Sequence, residues 1–353
     1  MKKFEKFLLV LGLLIVVAGA AGALYVQRTR SLANDLAQAR ELLETRQGKE
    51  LIARLAARYP GNAEVQFLRC RQLALSTDAV EAQVVLNRAA ALGYPEDRVR
   101  RQRWILVAFT DFRQAEPYLQ EMLAKNKDDR DVAMSLARGY IQARRLHAAE
   151  NLVTPILNRN PDDGEALCLR ARIRLADSNT ERAAEDARKA LALGADKFYH
   201  FAARMLLAEC MEKLNQVPRA YALYKQCKAE RPNNIRAIYQ FALCAKSLER
   251  LDEAQEALDE FLQLQPGNVD ALLEMSNLRI LKKENAEALK ILKTVESKYP
   301  NEPQVLAQLA KIYTILGEPA KAEEYAKRHQ EWINRLEDTS KDKQSPPPET
   351  PPK

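Results

Sequence analysis

Residues 231–268 read RPNNIRAIYQFALCAKSLERLDEAQEALDEFLQLQPGN, and this stretch decides the fold. It opens on Arg231-Pro232-Asn233-Asn234 and closes on Gln265-Pro266-Gly267-Asn268, and Tyr299-Pro300-Asn301-Glu302 follows at the same interval. The three prolines stand 34 residues apart. A proline cannot continue a helix, and the Asn or Asp beside it can cap the next one, so each cluster reads as a turn between helices. Tyr59-Pro60-Gly61-Asn62 and Asn160-Pro161-Asp162-Asp163 have the same form, and Asn126-Lys127-Asp128-Asp129 is the same turn without its proline.

Working outward, alanine keeps the same register. Ala82, Ala115, Ala149, Ala183, Ala220, Ala254, Ala288 and Ala322 follow one another at 33, 34, 34, 37, 34, 34 and 34 residues. Twelve residues before each lies a second slot, holding Cys70, Arg103, Ala137, Ala171, Ala208, Ala242, Ser276 and Ala310. All but Arg103 are small. Two helices packed face to face need small residues where their axes come closest, and a single long amphipathic helix would show neither this period nor the recurring prolines.

This pattern resembles the tetratricopeptide repeat family, in which helix A, a short turn, helix B and a proline-containing turn recur. Pro303 to Ala326 matches best, with Leu309-Ala310, Tyr313 and Ala322 in the motif's slots, and Leu136-Ala137, Tyr140 and Ala149 match equally well. The resemblance covers residues 31–336 as about eight units, with a degenerate ninth at 31–59 that has Gly48 in the alanine slot. The family's early tryptophan is missing, Arg103 predicts a shifted or distorted helix A, and Asp196 to His200 adds residues before one unit. The fold implied is all-α: a right-handed superhelical solenoid of stacked hairpins, since one hairpin cannot bury its apolar face alone.

Composition agrees with a helical chain. Glycine is scarce at 11 of 353 residues, and charged residues make up 29%. The net charge of +7 permits an acidic partner or an anionic membrane but does not call for nucleic acid, and no Lys/Arg run is interleaved with aromatics. The five cysteines, Cys70, Cys168, Cys210, Cys227 and Cys244, are scattered and odd in number, which reads as packing and not as a disulfide framework.

The N-terminus, residues 1–30, reads as a signal anchor or transmembrane helix. Leu8 to Val26 is uncharged, with Lys2, Lys3 and Lys6 before it and Arg28 and Arg30 after it. As a helix it would span roughly 28 Å, close to a bilayer's hydrocarbon core. The chain is therefore expected to be a single-pass membrane protein, tethered through residues 8–26, with its repeats extracytoplasmic (on the periplasmic side in a bacterium). A cleaved signal peptide is the alternative, because Ala21-Gly22-Ala23 has the small-x-small form of a cleavage site. Residues 337–353, ending in Ser345-Pro346-Pro347-Pro348-Glu349-Thr350-Pro351-Pro352-Lys353, read as a disordered proline-rich tail.

Chemistry is sparse. His147, His200 and His329 lie in separate units with no second ligand at helical spacing, and no phosphate loop, dinucleotide fingerprint or nucleophile elbow occurs. No cofactor, metal or catalytic residue is expected, and the chain is not read as an enzyme. The family resemblance implies a different kind of site. The residue eleven before each helix-B alanine faces the concave groove, and these are Arg71, Trp104, Arg138, Arg172, Glu209, Leu243, Asn277 and Lys311. The first half is basic with one aromatic, and Arg100 and Arg101 add to it. The alternative is that these arginines solvate an exposed surface. The pairing of Lys and Asn by which family members grip acidic chaperone tails is matched in no unit. A membrane-tethered scaffold or assembly factor follows, binding protein partners, with an acidic segment suited to the arginines. The second reading is an accessory or regulatory subunit of a membrane enzyme or secretion complex.

Overall fold

The computed structural model describes residues 30–75 and 78–342, with side chains to 335. The proposed membrane segment, residues 8–26, lies outside the described residues, and among those described no helix is long and apolar enough to cross a membrane. The described chain is helix after helix: α1 (30–41), α2 (Arg46–Arg58), α3 (Ala63–Leu75), α4 (Ala79–Ala91), α5 (Glu96–Thr110), α6 (Phe112–Lys125), α7 (Arg130–Gln142), α8 (Leu146–Arg159) and α9 (Gly164–Ala176). It continues through α10 (Thr180–Ala192), α11 (Tyr199–Lys213), α12 (Val217–Glu230), α13 (Ile235–Ser247), α14 (Leu251–Leu264), α15 (Val269–Leu281), α16 (Asn285–Lys298), α17 (Pro303–Ile315) and α18 (Pro319–Asp342). No strand occurs among the described residues. Two compact units form, Met1–Leu206 and Leu207–Lys353, and the division falls inside α11.

Within each unit the packing is that of stacked hairpins. In the first, each helix from α2 to α10 packs on the next in the chain, and α7 also meets α5 and α9. In the second, each helix from α12 to α18 packs on the next, and α15 also meets α17. Odd-numbered helices thus form an inner row in the first unit, and α15 meets α17 in the second. The alanine register explains why they can approach. Ala82, Ala115, Ala149, Ala183, Ala220, Ala254 and Ala288 have no exposed surface, and neither do Cys70, Ala137, Ala171, Ala208, Ala242 and Ser276 opposite them (0%). The five cysteines are buried among the packing residues, and none is in a disulfide.

The turn clusters cap as the sequence predicts. The side chains of Asp129, Asp163, Asn234 and Asn268 accept hydrogen bonds from the amides of Val132, Ala166, Ala237 and Ala271, satisfying N-terminal donors that the helix itself leaves unpaired. The short turn inside each of the six hairpins from α7–α8 to α17–α18 has its own signature. Arg144, Ser178, Asn215, Glu249 and Lys283 take left-handed backbone, with φ between 57° and 63°, and Gly317 holds the equivalent place at 73°. Only the last of these sites has the residue that adopts this conformation without strain.

Two departures read from the sequence take definite form, and one boundary moves. The degenerate stretch before residue 60 is a true ninth hairpin, α1 with α2, and Gly48 is indispensable to it: a Cβ there would stand 1.9 Å from the Leu42 carbonyl oxygen. Arg103 does not occupy a packing slot but is exposed, while Gln102 and Leu106 turn inward. The reason is local. Only Asp111 separates α5 from α6, closing the first and capping the second, so α5 runs two residues longer than α3, α7 and α9 and is rotated, with Gln102, Ile105 and Phe109 on the cavity side. Helix also continues past the expected boundary at 336, to Asp342, and residues 343–353 lie outside the described residues.

Candidate functional site

The inner row of the first unit encloses a cavity of about 390 Å³. Its wall is built by α3, α5, α7, α9 and the start of α11, with Leu43 and Glu44 from the loop between α1 and α2. Three of the groove positions read from the sequence, Arg71, Arg138 and Arg172, meet here, one from each of α3, α7 and α9. Phe109, Leu75, Ile105 and Met134 supply apolar wall between them.

Two predicted groove residues are elsewhere. Arg100 is exposed near the start of α5 and pairs with Glu96 at 3.0 Å, a solvated contact on its own helix. Trp104 does not stand between the arginines. It stacks on Tyr118 of α6, with centroids 3.8 Å apart and planes 9° from parallel. The rotation of α5 that exposes Arg103 also turns Trp104 away from the cavity. Leu243, Asn277 and Lys311 belong to the second unit and take no part in this cavity, and Glu209 there pairs with Arg236 at 2.6 Å.

The arginines do not face the cavity as bare cations. Arg71 reaches Asp131 at 3.0 Å, and Arg101 donates through Nε to Asp129 at 2.6 Å and through Nη2 to Asp131 at 3.1 Å. Arg130 grips Asp163 with two donors, at 2.5 and 2.8 Å, donates to Glu165 at 2.9 Å, and stands 3.7 Å from Glu44. Arg138 shares Glu165 and lies over the Phe109 ring, 5.8 Å from its centroid. The design repeats: an arginine from one inner helix, or from its first turn, reaches the N-cap aspartate or first-turn acid of a later one. The aspartate therefore caps a helix and ties two hairpins together.

Charge states follow from these contacts. Burial alone would raise Asp163, but the hydrogen bond and charge of Arg130, with the amides of Ala166 and Glu165, outweigh it and hold the carboxyl below its usual range. Asp131 is lowered in the same way, against burial, by Arg71 and Arg101. Arg101 and Arg130 are raised, because their carboxylate partners outweigh the cost of burial. Glu44 goes the other way: burial raises it, and the attraction of Arg130 only partly offsets that. The cavity wall is part of a charge network in which Glu44, 3.7 Å from Arg130, is the poorly held member. Among the described residues no group of three or more His, Cys, Asp or Glu side chains is placed to hold a metal ion.

Comparison with known families agrees with this architecture. Residues 106–173 match a tetratricopeptide repeat model, and residues 205–337 match the middle TPR-like domain of cilia and flagella-associated protein 70. The chain is built of tetratricopeptide-like repeats. No curated protein sequence gives a match. Among solved structures, the chain is similar to one from the APC/C hetero-tetramer Cut9-Hcn1, at 10% identity and a TM-score of 0.61 over 81% of this chain and 56% of that one. It is also similar to PilW, described as a widely conserved type IV pilus biogenesis factor, at 21% identity and a TM-score of 0.51 over 57% of this chain and 93% of that one. At such identities the likeness concerns the fold alone.

Within the repeats, α3, α5, α7, α9 and α11 are the helix-A elements, and three of the positions eleven before a helix-B alanine, Arg71, Arg138 and Arg172, line one cavity. It misses Arg130, the most heavily engaged cation in the cavity, because Arg130 opens α7 and reaches in along its side chain. It also misses Glu44, Phe198 and Tyr199, which line the cavity from loops or a helix start outside the helix-A register. Only the 37-residue interval between Ala183 and Ala220 hinted that something was added near residue 198.

Proposed function

We propose that this chain is a membrane-tethered scaffold whose first unit binds an acidic segment of a protein partner. The observation that carries the reading is the convergence of Arg71, Arg130, Arg138 and Arg172 on one cavity with apolar wall between them. Guanidinium groups have five donors in a fixed fork and suit carboxylates. Internal carboxylates occupy part of that capacity: Glu44, Asp131 and Glu165 share the same wall. An incoming acidic segment therefore competes with them, and binding is selective for a ligand that also fills the apolar part. The cavity lies at the small end of the range for ligand pockets. A full helix is about 10–12 Å across with its side chains, so a short extended stretch is the better fit.

Tethering is part of the proposal and rests on the uncharged run Leu8 to Val26 and its flanking lysines. It places the repeats across the membrane from the first few residues.

The test is co-purification of the full-length chain with its partner, followed by competition with blocked hexaglutamate. Partner retention is expected to fall with added salt and with the peptide. Arg138→Glu with Arg172→Glu should weaken it far more than Arg188→Glu, a change at an exposed site on α10, provided all variants melt cooperatively. Equal retention by all three would remove the groove reading. A single stoichiometric partner would favour the accessory-subunit form of the scaffold, and a mixed client set the assembly form.

A further inference from the structure

The residues added before α11 are put to use. The Arg46 amide donates to the Asp196 carbonyl at 3.0 Å, and the Phe198 amide donates to the Glu44 carbonyl at 3.1 Å. These two bonds make an isolated antiparallel bridge between Thr45 and Lys197. Helix packing in the first unit otherwise runs chiefly between neighbours in the chain or in the inner row, whereas this bridge joins the first hairpin to the loop before α11. On its other flank the inserted loop is seated by Tyr199, whose ring lies so close to Gly164 that a Cβ there would meet it at 2.2 Å. Leu43 and Glu44 on one side of the bridge, and Phe198 and Tyr199 on the other, line the same cavity.

We propose that the Thr45–Lys197 bridge is a releasable clasp that closes one side of the first unit's groove and gates entry to the arginine cavity. Two backbone hydrogen bonds are a small tie beside the packing of the hairpins, so they can part without unfolding the unit. Glu44 supplies a bias toward release. Its carboxylate stands 3.7 Å from Arg130, beyond hydrogen-bond distance, while Asp163 and Glu165 hold the same guanidinium by hydrogen bonds. The Glu44 side chain keeps 41% of its surface exposed in the closed clasp, so its partial burial costs that charge modestly and opening completes its hydration. Arg46, Asp196, Lys197 and the Asp163–Glu165 pair also carry charge around the loop, and the last two acids stay engaged with Arg130 when it opens.

The clasp can be tested without any ligand, so its failure and the failure of the groove reading are distinguishable. Cys168 lines the cavity, with its sulfur 3.9 Å from the Tyr199 carbonyl, whereas Cys70 lies sealed between α3 and α4 at 0% exposure. In the full-length chain, iodoacetamide should modify Cys168 about tenfold faster than Cys70, since the first needs only local opening. Thr45 and Lys197 form the non-hydrogen-bonded pair of the bridge, where Cα atoms stand about 4.5 Å apart and a disulfide can form. Oxidised Thr45→Cys with Lys197→Cys should slow Cys168 to the rate of Cys70, and reduction, with the reductant then removed, should restore it. Glu44→Gln should slow it in part. If the crosslink does not form, hydrogen exchange decides: the amides of Arg46 and Phe198 should exchange together and well ahead of the Val132 amide. Equal alkylation of Cys168 and Cys70, an unchanged Cys168 rate in the locked chain, or clasp amides as slow as Val132 would each overturn the proposal.

Discussion

Ser276 and Ala288 touch across a hairpin: the serine hydroxyl donates to the alanine carbonyl at 3.4 Å, and neither residue is exposed. This one contact joins α15 to α16 where they lie closest, at the two small slots of the repeat. It also explains how a serine can stand where other units have alanine, because its buried hydroxyl has a partner.

Overpacking the slot should therefore be costly. Ala254→Leu, at the matching position of α14, should destabilise the fold by about 1–3 kcal/mol. Ala254 is fully buried, with Ala242 facing it from α13. An unchanged melting temperature would mean that the helices are not at their closest approach there.

Gly139 offers a reversed sign. In an exposed helix interior, Gly→Ala usually gains up to about 1 kcal/mol. Here an added Cβ would stand 2.0 Å from the Phe112 ring, which packs edge-on against Tyr140 with centroids 5.6 Å apart. Gly139→Ala should lower stability, and Phe112→Leu should be less damaging in that background than in the wild type. Urea unfolding of the four chains of the double-mutant cycle measures this.

Acid should weaken the arginine network. Asp163 and Asp131 titrate below their usual value of 3.8 when folded. Their contribution is complete above that value and is lost as the pH falls through it and on through the folded range. Asp163→Asn keeps the cap but removes the charge. It should melt below the wild type at about pH 7, and the gap should narrow toward about pH 3. A constant gap would show that the Arg130 pairing does not contribute through charge.

Lys283 carries backbone strain that its sequence neighbours do not reveal. It sits at φ 63°, where the corresponding turn of the last hairpin has Gly317. The left-handed conformation costs about 1–2 kcal/mol for a residue with a Cβ, and glycine's extra freedom when unfolded returns about half of that. Lys283→Gly should thus raise the melting temperature, and a drop would show that the turn relaxes in solution.

Topology is open to a direct experiment. A reporter active only in the cytoplasm, fused after Lys353, should be silent if the repeats lie across the membrane. Robust activity would place them on the cytoplasmic side.

The sequence by itself determined the repeat. Prolines and capping residues at intervals of 34, and small residues in two slots, fix helix ends and closest approaches, and both are local demands that each unit meets with its own residues. Arg71, Arg138 and Arg172 were legible for the same reason, since a residue at a fixed helical position faces a fixed side. The tertiary structure alone decided what the breaks in the period do. A one-residue turn at Asp111 rotates α5 and moves Trp104 off the cavity, because turn length sets how the next helix docks. Arg130 meets Glu44, and Thr45 meets Lys197, across the first unit. Such pairings arise from where stacked hairpins bring the chain back on itself, and no spacing in the sequence records them.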